Sequence, residues 1–279
     1  KGNNCIILGA GGAARAIAFL CAQSGADKVY MLNRTVEKAE DIADAVNGYF
    51  NRECVVPMHM DDYKSLKEND YIVIQEGTSE GTQVKYKKDG YWYKKDNRGN
   101  EGRAEYLVSK FMQFTTLQEN EFISYEEGTI NGKSGCRSKN FLDEEEELVT
   151  FYRLYYNEVG KDLSKVIANM NTMEERIEYV IRFIDQSCGL NIHAYLSKVL
   201  TLDMICLNED RHLNNLALIM RGNDFYPAPI FDNGVSLLTA NQSVNWNFSI
   251  EENVKRVIAR PFCGSHEKMV KYLGSGFSI

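Results

Sequence analysis

The sequence predicts an α/β domain over residues 1–75 followed by an α+β domain over residues 76–279, and three observations predict it. Short apolar runs alternate with helical stretches as far as Gln75, the pattern of a parallel sheet covered by helices. Beyond Gln75 that alternation gives way to a Tyr/Lys-rich hairpin and then to long amphipathic stretches over 145–205. The change is abrupt at "YIVIQ/EGTSEGT", with no linker rich in Pro, Gly or Ser between the two styles.

In the first part "CIILG" reads as a strand, "AARAIAFLCAQSG" as a helix ended by Gly25, and "KVYMLN" as a second strand. "TVEKAEDIADAVNG" reads as a helix from a Thr cap to Gly48. "CVVPMH" and "YIVIQ" supply third and fourth strands, with a short helix at "DDYKSLKE" between them. In the second part the Asp-Gly pair of "VKYKKDGYWYKKD" predicts a hairpin. Ala104, Leu107, Val108, Phe111 and Met112 recur at helical spacing. "EFISYEE" reads as a strand, "DEEEE" (143–147) as a solvated face or helix start, and "LALIM-RGND-FYPAPIF" as another hairpin.

Composition narrows the function classes. The 279 residues are 44% hydrophobic and 25% charged, as in folded globular proteins. A net charge of −7 argues against nucleic acid or an anionic membrane surface as the partner. No apolar run reaches the roughly 18–20 residues a spanning helix needs. Seven cysteines without a C-x-x-C pair argue against a zinc site and a disulfide framework, so free thiols in a reducing cytoplasm are expected. Lys1 in place of Met predicts that the chain starts inside a longer product.

"LGAGGAARA" sets Gly9-x-Gly11-x-x-Ala14 directly after a strand and opens a helix. Glycine there lets the backbone turn tightly and approach a pyrophosphate, which rests on the helix N-terminus. After the second strand, where an acid would hold the ribose of NAD, the chain reads "NRTVEK". Arg34 in that place favours the 2′-phosphate of NADP. The stretch "GAGGAARAIAFLCAQSGADKVYMLNRTVEKAEDIA" resembles the NADP-binding domain of shikimate dehydrogenases. The resemblance implies a Rossmann-like fold and NADP contacts at Gly9, Gly11, Gly12, Ala13, Asn33, Arg34, Thr35 and Lys38. In that family a separate domain carries the catalytic Lys and Asp, and no residues for it are found here. The domain is therefore expected to be truncated, and dehydrogenase activity of this chain is not expected.

The second part carries the groups of phosphoryl transfer in order. That chemistry takes a carboxylate to orient the attacking hydroxyl, oxygen ligands for Mg²⁺, a Lys on the phosphates, and an acid to hold the Lys. In "NEDRHLNN" (208–215) Asp210 and Asn215 stand five apart, the offset of base and metal ligand in a protein-kinase catalytic loop. Asp232 follows in "IFDNG". Upstream lie a Gly-rich loop (Gly77, Thr78, Ser79, Gly81 and Thr82), a strand Lys in "YWYKK", and a Glu at the start of the next helix.

Residues 76–279 also resemble the HipA-like bacterial serine/threonine kinases, through "GYWYKKD", "EGRAEYLVSKF", "GCRSKNFL", "LNEDRHLNNLALI" and "APIFDNGVSLL". The resemblance implies a two-lobed kinase fold, with a small lobe over about 76–145 and a large lobe over about 146–279. It makes Asp210 the catalytic Asp, gives Asn215 and Asp232 to Mg²⁺, and sets Lys94 on the ATP phosphates, with Lys95 as the alternative register. Glu105 is the expected partner of that Lys and Glu101 the second choice. His212 is read as a structural residue of its loop. By the same resemblance Ser79 or Thr78 is an autophosphorylation site, and the partners are a protein substrate and an antitoxin or regulator. The family runs on for several helices beyond "PFCGSHEKMVKYLG", so the C-terminus reads as short.

The leading expectation is an ATP- and Mg²⁺-dependent protein kinase fused to a partial NADP-binding domain. A phosphatidylinositol-type lipid kinase is the rival within kinases, because D-R-H-x-x-N fits that catalytic loop as well. An NADP oxidoreductase is the rival outside them, should an upstream substrate domain exist.

Overall fold

The computed structural model describes residues 4–11, 14–66, 71–75, 85–97, 99–130, 132–239, 244–245 and 247–279. The chain divides into two compact units, Lys1–Asn97 and Arg98–Ile279.

In the first unit β1 (Asn4–Leu8) lies between β2 (Val29–Asn33) and β4 (Tyr71–Gln75), and β3 (Val55–His59) adds beyond β2. All the pairings are parallel, in the order β3-β2-β1-β4, with Cys5 opposite Val29 and Ile72. A parallel sheet is buried on both faces, and β1 shows it. Cys5 and Ile7 pack with Ala14, Ala18 and Ala22 of helix α1 (Ala14–Gln23) and with Ala39 and Val46 of helix α2 (Val36–Phe50). Ile6 faces the other way and packs with Leu32, Met58 and Leu66. A 3₁₀ turn over Met60–Ser65 follows β3, where the sequence predicts a short helix. The alternation of strands and helices is as expected, with one correction. Helix α2 does not stop at Gly48 but runs to Phe50 and is capped by Asn51 at φ 48°. Phe19 of α1 packs against Tyr49 and Phe50 at 4.7 and 4.8 Å, which holds the last turn that glycine alone would release. Asn47 then ties helix to sheet, accepting from Val55 N and donating to Val55 O, both at 2.8 Å. The hairpin of β5 (Lys85–Lys88) and β6 (Tyr91–Lys95) turns through Asp89 at φ 51° and Gly90 at φ 76°, the left-handed pair that a tight hairpin demands.

In the second unit α3 (Glu101–Met112) packs on the hairpin of β7 (Tyr125–Ile130) and β8 (Lys133–Lys139). Gly102 and Gly135 make the approach possible, since a Cβ on Gly102 would stand 2.5 Å from the Gly135 carbonyl carbon. The strand expected over 121–127 begins only at Tyr125, after a 3₁₀ turn at Glu119–Glu121. The acidic run is not a helix start. It leads into β9 (Glu146–Thr150), leaving Asp143, Glu144, Glu145 and Glu147 exposed, and Arg221 draws in Asp143 and Glu146 at 3.1 and 2.6 Å. Helices α4 (Phe151–Val159), α5 (Leu163–Ala168), α6 (Met173–Cys188) and α7 (His193–Cys206) follow. The expected hairpin forms as β10 (Ala217–Arg221) and β11 (Asp224–Pro227), and β9 completes a three-stranded antiparallel sheet in the order β11-β10-β9. Helices α8 (Ile250–Val254) and α9 (His266–Leu273) come last.

Apart from a smaller cluster of Ile123, Tyr125 and Cys136, the main core of this unit is a cluster that includes Met112, Phe151, Ile177, Leu196, Leu200 and Phe262. Helix α7 lies at its centre, apolar around most of its circumference, as a buried helix must be. The C-terminal segment closes over it. Gly276 N donates to Thr201 Oγ1 at 3.0 Å, and a Cβ on Gly276 would meet Lys198 N at 2.3 Å. No helix among the described residues is long and apolar enough to cross a membrane.

Candidate active site

Helix α7 carries an acid where the core admits none unpaired. Asp203 has no exposed surface, and a lone carboxylate there would be costly or would take up a proton. Arg211, equally buried, meets it as a fork, with Nε 2.9 Å from Oδ2 and Nη2 2.9 Å from Oδ1. The rest of the guanidinium reaches two loops. Nη1 donates to Phe231 O at 2.7 Å and to Asn215 O at 3.3 Å, and Nη2 donates to Asn233 Oδ1 at 2.7 Å. Burial opposes the charge on Arg211, but the Asp203 carboxylate prevails and holds the guanidinium protonated above its ordinary range. One side chain therefore joins α7, the loop 208–215 and the loop 231–233.

The first of these loops leaves α7 at Leu207, whose φ of 57° reverses the chain. Asn208 then serves both sides of the turn. Its Nδ2 donates to Asp203 Oδ1 at 2.9 Å, and its Oδ1 accepts from Asp210 N at 3.0 Å. His266 Nε2 donates to Asn208 O at 2.8 Å, and Glu209 Oε1 accepts from Ile258 N at 3.0 Å. The backbone of Asp210 is thus held at its N–H by Asn208 and at its carbonyl by Asn215 Nδ2, 3.1 Å away. Its carboxylate is nevertheless 43% exposed, with Arg260 Nη1 3.9 Å from Oδ1. Asn215 is buried, and donation by Nδ2 leaves its amide oxygen as the atom suited to a hard cation.

In the second loop Asp232 takes φ 62°, a left-handed conformation unusual for a residue with a side chain. The next residue explains how it is kept, because Asn233 N donates to Glu105 Oε2 at 2.8 Å. Glu105 is buried on α3, so a carboxylate from that helix pins the loop that presents Asp232. Among the described residues His212 Nδ1, Asn233 Nδ2 and Ser236 Oγ are buried without a protein partner. His212 and Asn233 belong to these two loops and Ser236 follows three residues after the second, and such a concentration is characteristic of a site that takes water or ligand.

Of the residues the sequence singles out, the fold therefore links Asp210, Asn215, Asp232 and Glu105 through Arg211 and Asn233. His212 supports its own loop through its carbonyl, which accepts from Asn215 N at 2.8 Å. Glu101 is buried and accepts from Gly99 N at 2.9 Å. Lys94 lies buried on β6 in the first unit, opposite Lys85, and Lys95 is half-buried beside it. Gly77, Thr78, Ser79, Gly81 and Thr82 lie outside the described residues, as do Gly12 and Ala13. In the first unit Gly9 leaves β1 at φ 105°, its N–H bonded to Leu32 O at 2.7 Å. The Gly11 carbonyl accepts from Ala14 N at 3.2 Å at the start of α1. Asn33 ends β2 and donates to Thr35 O at 2.8 Å, with Arg34, Thr35 and Lys38 exposed beside it. Thr35 stands at the N-cap of α2 but its hydroxyl makes no cap bond.

Asp203, Asn208 and Asn233 were not singled out from the sequence, nor was the role of Arg211. A signal was present, since "LTLDMICL" is a single acid inside a greasy helix and such an acid needs a nearby cation. A cavity of about 550 Å³ in the second unit, lined by Phe122, Phe141, Ile219, Tyr226 and Pro229 among others, contains none of the site residues.

Residues 1–88 match the family model of shikimate / quinate 5-dehydrogenases. The shikimate dehydrogenase (NADP(+)) of Methanopyrus kandleri is 52% identical over 44 residues, 16% of this chain and 15% of that protein. Its counterpart in Caldanaerobacter subterraneus is 33% identical over 85 residues, 29% of this chain and 28% of that protein. The chain thus spans only a minor part of the curated relatives it matches. Among solved structures, quinate dehydrogenase from Corynebacterium glutamicum in complex with NAD is 23% identical, covering 28% of this chain and 27% of that one, with a TM-score of 0.26. The Helicobacter pylori proinflammatory kinase CtkA is 20% identical, covering 60% of this chain and 57% of that one, with a TM-score of 0.45. The chain therefore resembles shikimate dehydrogenases over its first 88 residues.

Proposed function

We propose that the chain transfers the γ-phosphoryl group of ATP, with Mg²⁺, to a serine or threonine hydroxyl of a protein. The observation that carries this reading is the Arg211 hub, which fastens the loop of Asp210 and Asn215 to the loop of Asp232. Phosphoryl transfer needs little covalent chemistry from the protein and much positioning, and a buried, fully engaged guanidinium provides positioning. Asp210, with its backbone fixed and its carboxylate accessible, orients the attacking hydroxyl and accepts its proton. Asn215 and Asp232 offer the hard oxygen donors a Mg²⁺ ion requires. No three His, Cys, Asp or Glu side chains converge on one point among the described residues. That fits an ion that draws its remaining ligands from phosphate oxygens and water. Bound there, the metal neutralises charge on the phosphates. By their place in the chain order, Lys94, with Lys95 as the alternative, and the Gly-rich loop 77–82 are assigned to the phosphates. Ser79 or Thr78 in that loop is the proposed autophosphorylation site.

The test is phosphate incorporation into the purified chain and into added protein, read by intact mass with ATP and Mg²⁺ beside Asp210→Asn. Incorporation that disappears in the variant supports the reading. Incorporation that survives in it, or none in either protein, overturns it. Phosphatidylinositol vesicles in a parallel reaction separate a lipid kinase from a protein kinase.

For the first unit we propose NADP binding at the C-terminal edge of β1 and β2, supported by the order β3-β2-β1-β4, the Gly9 turn and the exposed Arg34. A crevice at that edge is where a sheet of this topology takes a dinucleotide. Titration should give a thermal shift with NADP larger than with NAD, and Arg34→Ala should remove the difference. Equal response to both would remove the assignment of Arg34 to the 2′-phosphate.

A further inference from the structure

The segment between α8 and α9 lies against the loop 208–215 and supplies a cation beside Asp210. It is fastened on both sides of that cation. Glu209 Oε1 accepts from Ile258 N at 3.0 Å, and His266 Nε2 donates to Asn208 O at 2.8 Å. Arg176 Nη1 of α6 donates to Phe262 O at 2.9 Å. Between these ties the chain turns on itself, with Ala259 N bonded to Gly264 O at 3.3 Å and the side chains of Ala259 and Phe262 buried. Arg260 stands between those buried residues, yet its side chain is 53% exposed, with Nη1 3.9 Å from Asp210 Oδ1. That distance is too long for a hydrogen bond, and a solvated pair of this kind adds little to stability. Among the described residues the Arg260 guanidinium makes no hydrogen bond, so its donors remain for a ligand. Arg256, by contrast, is placed over the Phe248 ring at 4.9 Å. An exposed arginine with free donors is ordinary. One held by an anchored backbone against the carboxylate that receives the substrate hydroxyl is not.

We infer that Arg260 selects the protein substrate, its guanidinium taking the carboxylate of an Asp or Glu within roughly two residues of the acceptor serine or threonine. The inference rests on the proposed role of Asp210 in orienting the hydroxyl. That hydroxyl must come within hydrogen-bond distance of the Asp210 carboxylate, which sets it beside Arg260. In an extended peptide each residue advances ~3.3 Å, so a side chain close to the acceptor in sequence covers the remaining separation. The planar fork of an arginine matches a carboxylate through two parallel N–H bonds, a fit that a lysine lacks. With the substrate acid on Arg260, the oxygens of Asp210 are left to the hydroxyl. The local charge agrees. Residues 255–260 hold Lys255, Arg256 and Arg260, all exposed, and no acid, in a chain whose net charge is −7. An acidic segment is therefore repelled by the molecule at large and drawn to this stretch.

The experiment measures kcat and KM of the full chain, with ATP and Mg²⁺, on serine peptides in which a single Glu is moved along the sequence, each beside its Gln counterpart. The wild-type chain should favour Glu about tenfold in kcat/KM when the acid lies near the serine, the scale of one charge-assisted contact. The gain should be in KM, with kcat unchanged. Arg260→Ala should abolish the preference while keeping kcat on the Gln peptides, and Arg260→Glu should favour peptides with Lys in place of Glu. Arg256→Ala should retain the wild-type preference. An equal fall of kcat on every peptide in Arg260→Ala, with the preference for Glu intact, would place the guanidinium elsewhere than on the substrate acid and overturn the inference. A wild-type chain that labels itself or added protein yet treats Glu and Gln peptides alike overturns this inference alone. One that transfers no phosphate at all overturns the kinase reading with it. The wild-type panel decides the matter even where a variant fails to fold.

Discussion

Arg211 and Asp203 show how much one pair of side chains can carry. Removing one member of a buried ion pair leaves the other charge stranded, at a cost of about 3–5 kcal/mol. Asp203→Ala is therefore expected to lower the urea midpoint severely, and to do so before any nucleotide is added. The contrast is Asp143→Ala, whose pairing with Arg221 is mostly solvated and should cost less than about 1 kcal/mol. Comparing both variants by urea denaturation separates the buried hub from a surface pair. The neighbourhood of Asp203 also makes an alkaline prediction. Burial pushes the Tyr195 hydroxyl and the Cys206 thiol up to about 12 each, and Asp203 adds to both. Both groups bind their protons more tightly folded than unfolded. Their contribution is complete below the ordinary values of 9.0 for the thiol and 10.0 for the phenol, and it is lost as pH climbs towards about 12. Urea midpoints should fall across that window, and Tyr195→Phe should flatten the fall. An unchanged slope in that variant would show that other groups drive the alkaline loss.

Among the elements, α3 is the one whose position matters most to the site, because Glu105 on it holds the loop of Asp232. Its seat on β8 depends on two glycines facing each other, and that contact leaves no room for a methyl group. Gly102→Ala should push the helix away from the hairpin, at a cost of about 1–3 kcal/mol for overpacking. It should reduce phosphate incorporation more than its stability loss alone predicts. The measurement is activity at a temperature where circular dichroism shows the variant folded, and wild-type activity there would detach α3 from the site. The helix itself was legible in the sequence, since its apolar residues recur at 3.6 spacing. Its close approach to β8 was not, because a glycine in "EGRAEY" reads only as a weak helix former until Gly135 is placed opposite. The acidic run misled for a related reason. Its charges suggested a solvated face, and most of them are solvated, but Glu146–Thr150 pairs with β10, a partner some 70 residues away.

On the scale of the molecule, the hydrophobic clusters formed by the described residues each fall within one unit. Those of the first draw on residues up to Leu66, and the main cluster of the second begins at Val108. Met31, fully buried between strand and helices, is a probe of the first. Met31→Ala should cost about 2–5 kcal/mol and lower one calorimetric transition while a second keeps its midpoint. A single transition shifted as a whole would show that the units unfold together.

Local order was readable from the chain alone. The alternation before Gln75, the Asp-Gly hairpin, the glycine turn after β1 and the five-residue offset of Asp210 and Asn215 all depend on neighbours a few positions apart. Backbone geometry and side-chain period dictate such features directly. The tertiary structure decided what depends on distant residues meeting in a medium that excludes water. It paired Asp203 with Arg211 and set Glu105 under the Asp232 loop. A buried charge or thiol acquires its role from the partner that desolvation forces on it, and the identity of that partner lies in the packing.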